Sequence, residues 1–159
     1  MTPPCALLGQ VLVLGIFPAA LSVAIATDLM SRIIPNLVIG VLILGFSVLA
    51  LSTGVPDLKP RLLWCAGVLA VGLALFRADL VGAGDAKLAA AVVPWLDPGQ
   101  VVIFLLLCGL LGAGLVGLAL SRARLAAPFA AVSGLPYGVA LAGAALLLFP
   151  FSALMALAA

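Results

Sequence analysis

The sequence predicts an all-α, polytopic membrane protein with about six transmembrane helices, and three observations carry that expectation. Hydrophobic residues make up 67% of the 159-residue chain, charged residues only 8%, and the mean hydropathy is +1.47. Soluble domains do not reach such values. The apolar residues also fall into runs of roughly spanning length, and short turns bearing Pro, Gly or charge divide the runs. Those turns leave no room for an added soluble domain of about 100 residues. Residues 1–159 are therefore expected to form a single integral-membrane domain.

The runs are Leu7 to Ala26, Ile39 to Leu51, Leu62 to Phe76, Ala86 to Leu96, Val101 to Leu120 and Tyr137 to Leu157. The first lacks Lys or Arg in its leading segment, and no good small-residue cleavage site follows it, so it is expected to be retained. The second should start near Pro35, because proline is tolerated in a first helical turn and the earlier start lengthens the span. The fourth is short. Ala86 to Leu96 covers about half a bilayer at ~1.5 Å per residue before Pro94-Trp95-Leu96-Asp97-Pro98-Gly99 interrupts it. A loop dipping into the membrane there requires protein or water around its backbone.

With the N-terminus outside, the cytoplasmic turns hold Arg32, Arg77, Lys87, Arg122 and Arg124, against Lys59 and Arg61 on the other side. That bias predicts an outside N-terminus. Trp64 and Trp95, near span ends, read as interfacial anchors, while repeated Gly and Ala, as in Gly109-Leu110-Leu111-Gly112-Ala113-Gly114, read as close helix packing.

The chain contains no His and no Glu; its acids are Asp28, Asp57, Asp79, Asp85 and Asp97. A Ser-His dyad and an H-E-x-x-H zinc site are thereby excluded, since both need imidazole. Cys5, Cys65 and Cys108 are isolated and form no C-x-x-C pair, so they read as small packing residues, and neither metal nor cofactor is expected. What remains for hydrolysis is a carboxylate pair. Asp28 and Asp85 border apolar spans on the same expected side, where a carboxylate near hydrocarbon is costly and therefore informative.

Asp28 should lie in or just after a last helical turn, where the negative helix end and burial disfavour its charge and Arg32 restores it. Asp85 reads as the N-cap of the fourth helix, where free backbone N–H groups favour its charge. Two environments of opposite bias suit acid–base work, in which one carboxylate activates water and the other polarises a carbonyl. Gly82 and Gly84 remove side-chain bulk and would admit a substrate backbone; Lys87 reads as an interfacial charge. Asp57, Asp79 and Asp97 read as turn or interfacial acids, with Asp79 near enough in sequence to influence Asp85.

Asp28 with Arg32, Pro35 and Asn36, then Gly82-Ala83-Gly84-Asp85 with Lys87 and Leu88, resemble the two signatures of type IV prepilin peptidases. These are membrane aspartic peptidases of the GxGD type. Pro136-Tyr137-Gly138 resembles a further element of that family. The resemblance implies an aspartic endopeptidase that removes the short basic leader of prepilin or pseudopilin precursors at the cytoplasmic face of the bacterial inner membrane, cutting after a glycine. It implies Asp28 and Asp85 as the catalytic pair, with Arg32, Pro35, Asn36, Gly82, Gly84, Lys87, Pro136, Tyr137 and Gly138 as supporting motif members.

Longer relatives carry a segment with paired C-x-x-C motifs and N-methylate the new end. This chain has no such pairs and is similar to the short CpaA/TadV-like branch of Flp or tight-adherence pilus systems, so methylation is not expected. Partners are precursor proteins and membrane lipid, with room for contact with pilus-assembly machinery and none expected with nucleic acid. Two other readings compete, a small proton-coupled transporter or channel subunit and a catalytically silent pilus-assembly scaffold. No inverted repeat is evident, and both key acids lie at one edge and not at the midplane, which disfavours the transporter.

Overall fold

The computed structural model describes residues 4–126 and 137–157. The first helix runs without a break from α1 (Pro4–Gln10) through a π-helical stretch (Val11–Ile16) into α2 (Phe17–Ser31). Its widened turn immediately precedes Pro18, which lacks an N–H and would crowd a regular turn. Arg32 ends α2 in the left-handed region (φ 54°), its N–H returning to the Asp28 carbonyl at 3.0 Å. Pro35 then bars helical backbone at Ile34, and the chain runs extended into α3 (Asn36–Thr53).

Gly54 (φ 68°) closes α3 in the left-handed conformation that glycine adopts at low cost. α4 (Leu58–Arg77) follows and is ended by Asp79, also left-handed, with the Leu80 N–H reaching back to Leu75 O at 3.0 Å. α5 (Ala83–Val92) has 10 residues. At ~1.5 Å each it covers about half a bilayer. Short 3₁₀ turns at Val93–Trp95 and Pro98–Gln100 lead from it into α6 (Val101–Ala126). α7 (Tyr137–Leu148) completes the described helices.

The fold class agrees with the sequence. Four helical segments are long and apolar enough to cross a membrane, Leu7–Ser31, Asn36–Thr53, Leu58–Arg77 and Pro98–Leu118, and Tyr137–Phe151 is a shorter apolar helix. α5 makes the sixth helical body among the described residues, and it is the short fourth one that the sequence predicts. The last predicted run, Tyr137 to Leu157, is not one helix. Pro150 turns it into 3₁₀ segments at Phe149–Phe151 and Ala153–Leu157.

α5 is the centre of the bundle, packed against α4, α7 and α3. Its Ala86, Leu88, Ala89, Ala90, Ala91 and Val92 are all buried, so nearly every face is covered by protein. The approach to α4 is tight: a Cβ on Gly72 would stand 2.8 Å from the Ala86 Cβ. Small residues let the backbones meet where lipid supplies no hydrophobic drive between helices.

Trp95 is corrected by the structure. It is fully buried and not an interfacial anchor: its ring lies 4.8 Å from Phe17 and 5.8 Å from Phe46, and its Nε1 donates to Leu42 O at 3.1 Å. Arg61 and Asp97 form a cluster beside it, with Asp97 in a turn as expected. Arg61, 1% exposed, donates to Pro56 O, Pro94 O (3.0 Å) and Leu96 O (2.7 Å) and pairs with Asp97. Asp97 caps Pro98–Gln100 and accepts from the Ala153 N–H at 2.8 Å. Neither is a loose surface charge.

Two stability outcomes are expected, each read by thermal or denaturant unfolding in detergent. Trp95→Ala leaves a cavity among three aromatic rings and costs about 3–5 kcal/mol. Arg61→Met strips two buried carbonyls and Asp97 of their donor and costs about 3 kcal/mol despite preserving bulk.

Candidate active site

Asp28 lies in the last turn of α2 and is 5% exposed. Its Oδ2 accepts the Val139 N–H at 3.0 Å. Val139 is in the first turn of α7, where N–H groups have no partner within the helix, so the carboxylate of one helix caps the start of another. The sequence places Asp28 only at the negative end of its own helix. The positive end of α7 becomes its neighbour through tertiary folding alone.

Gly138 makes this contact sterically possible. A Cβ there would lie 2.9 Å from Asp28 Oδ2, 3.0 Å from its Cγ and 2.9 Å from Ile34 Cδ1. Real Cβ contacts do not occur at such distances, so either the carboxylate or Ile34 would have to move.

Asp85 is not the N-cap that the sequence predicts. Gly82 occupies that position, α5 begins at Ala83, and Asp85 is the third helical residue, its carboxylate accepting the Gly82 backbone N–H. This is the return half of a capping box, an acid in the first turn satisfying the N–H at the cap. The glycines also act differently from the expectation. The space where Gly82 would carry a Cβ is held by Asp85 itself, with Oδ2 at 2.9 Å, and that of Gly84 faces Ile34 at 3.5 Å. Gly82 seats the protein's own carboxylate closely, and Gly84 meets Ile34 at ordinary contact distance.

The ionisation bias of Asp85 is opposite to that expected. Burial pushes its pKa up, and the Asp28 carboxylate pushes it further; the Gly82 N–H only partly offsets them, leaving a value of about 6 against an ordinary 3.8. Desolvation and a like charge outweigh the helix end.

Asp28 and Asp85 line one cavity of about 940 Å³ together with Arg32, Asn36, Lys87 and Tyr137. Gly82 and Gly84 form part of the same wall. Pro35 acts at one remove by starting α3, and Gly138 lies under Asp28. Pro136 falls outside the described residues. Nothing in the sequence points to Val139, whose contribution is a backbone N–H, or to Ile34, which packs between Gly84 and Gly138. Asp79 also lines the cavity, but the shift at Asp85 arises from burial, Asp28 and Gly82 and not from Asp79. Asp97, by contrast, belongs to the Arg61 cluster beyond the other end of α5.

The fold and cavity define a polytopic all-α membrane protein whose apolar helices bring Asp28, Asp79 and Asp85 to one polar chamber. The type IV leader peptidase family model matches residues 15–117, and the chain belongs to that family. Comparison with curated proteins and with solved structures returned no match.

Two outcomes follow from this geometry. Gly138→Ala displaces Asp28 and is expected to lower peptidase activity about 10²-fold while the protein still inserts and melts cooperatively, measured by precursor cleavage beside thermal unfolding. The raised Asp85 pKa means that the folded protein keeps a proton which the unfolded chain loses above about pH 4, so stability falls as pH rises to about 6 and is then level. Asp85→Asn removes that loss. Its stability relative to the wild type should therefore increase between about pH 4 and 6, and a melting series across that range checks it.

Proposed function

We propose that the protein is an aspartic endopeptidase that removes the leader from prepilin-like precursors, cutting after a glycine, with Asp28 and Asp85 as the catalytic dyad. The observation that carries the proposal is their shared cavity, in which the charge of Asp28 opposes the ionisation of Asp85. Membership of a leader peptidase family supplies the reaction class. The cation-bearing turns favour a site at the cytoplasmic face, and the absence of C-x-x-C pairs favours the short CpaA/TadV-like branch without methylation.

The chemistry follows from the electrostatics. Asp85, the group that holds its proton to higher pH, donates a hydrogen bond to the scissile carbonyl as negative charge develops on its oxygen. Asp28 accepts a proton from the attacking water. The Val139 N–H on its Oδ2 fixes the carboxylate and leaves Oδ1 for that water. Collapse of the tetrahedral intermediate reverses the roles: the proton held by Asp28 passes to the leaving amine, and the C–N bond breaks. No electron acceptor or donor enters the sequence.

Asp28→Asn and Asp85→Asn are each expected to abolish cleavage of a precursor by the purified, inserted protein; normal processing by either variant rejects the dyad. The pH profile tests the division of labour. Values of kcat/KM should fall as pH rises through about 6, as Asp85 gives up the proton it must donate, and the value belongs to the pair as a coupled unit. A rate that rises through the same range would assign Asp85 as the base.

A further inference from the structure

α3 and α4 are consecutive helices separated only by residues 54–57, yet they scarcely touch one another. Both lean on α5, which lies behind them as a floor. Between them runs an apolar groove of about 340 Å³, rimmed by Ile43 of α3 and by Leu62 and Leu69 of α4, with Ala90 and Ala91 beneath. The one hydroxyl on its wall, Ser47, is satisfied by Ile43 O at 2.8 Å and offers the groove no unmet donor. α4 is also the most exposed of the long helices, with 11% of its apolar window buried.

The groove is not isolated. Lys87 lines both it and the chamber that holds Asp28 and Asp85, so the two spaces, one apolar and one polar, flank the same side chain of α5. Lysine suits such a junction, since its methylene stem can lie along the apolar side while its ammonium stays on the polar side. An anionic lipid is poorly matched to this site. Its headgroup would enter a chamber where Asp28, Asp79 and Asp85 outnumber Arg32 and Lys87, whereas the basic leader of a precursor complements those acids. A chain that is polar at one end and apolar at the other fits both spaces at once.

From this adjacency we infer that the α3–α4 groove seats the apolar helix of the substrate, which enters sideways from the bilayer and leaves the scissile bond beside Asp28 and Asp85. The inference rests on the proposed peptidase function and adds the side of entry. Ile43, Leu62 and Leu69 are then residues that determine which apolar segments are accepted, and the alanine floor of α5 sets how closely the substrate helix approaches.

The test uses the full chain in bilayer nanodiscs and a synthetic peptide in which a basic leader ending in glycine precedes an apolar helix of about 20 residues. A photoreactive side chain is placed two turns beyond the glycine. Adducts are expected on Ile43, Leu62 or Leu69, and Leu69→Trp, which fills the groove, should raise KM for this peptide about tenfold with kcat held within about twofold, the signature of lost uniform binding. Cleavage by the wild type with adducts on α6, at Leu106 for example, and with an unchanged KM for Leu69→Trp overturns the groove while leaving the peptidase intact. Failure of the wild type to cleave the peptide at all overturns the peptidase reading and this occupant with it.

Discussion

Backbone carbonyls in a buried turn must find donors, and in this protein Arg61 supplies them just beyond the end of α5. Pro94 O and Leu96 O accept from its guanidinium, and Asp97 neutralises its charge. Without that cluster, the buried carbonyls of Pro94 and Leu96 would lose their donor. The short helix can therefore end inside the protein with its following turns satisfied. Trp95 locks the same turn into the aromatic core.

The chamber is built from helix ends and not from helix faces. Asp28 meets the first turn of α7, Asp85 closes the first turn of α5, and each carboxylate fills space that a neighbouring glycine leaves open. Positive helix ends make two acids tolerable in one small volume, but they do not equalise them. Burial and the charge of Asp28 raise the pKa of Asp85. At Asp85 the structure reverses the bias that the sequence suggests. Desolvation of a half-buried carboxylate is a property of its surroundings, and no run of neighbouring residues encodes it.

Residues that serve the site through backbone or through absence are the hardest to read in advance. Gly138 matters because a methyl group there would strike Asp28, 110 positions earlier in the chain. Val139 contributes only an N–H, which every residue except proline possesses. Trp95 and Arg61 look in sequence like residues of an interface, since aromatic and basic side chains are enriched there, and only burial shows them to be the core and its polar lock.

The sequence by itself determined the class, the helices and the two acids. Those features are local: hydrophobic runs of spanning length, Pro35 and Gly54 as boundaries, and acids too costly to sit idle beside lipid. The family motifs, being contiguous, were legible for the same reason. Only the tertiary structure decided that Asp28 sits at the start of α7, that Asp85 follows its cap and is pushed toward protonation, and that Arg61 holds the short helix in place. Each depends on groups far apart in the chain meeting across packed helices, where distance and desolvation, and not residue order, set the energy.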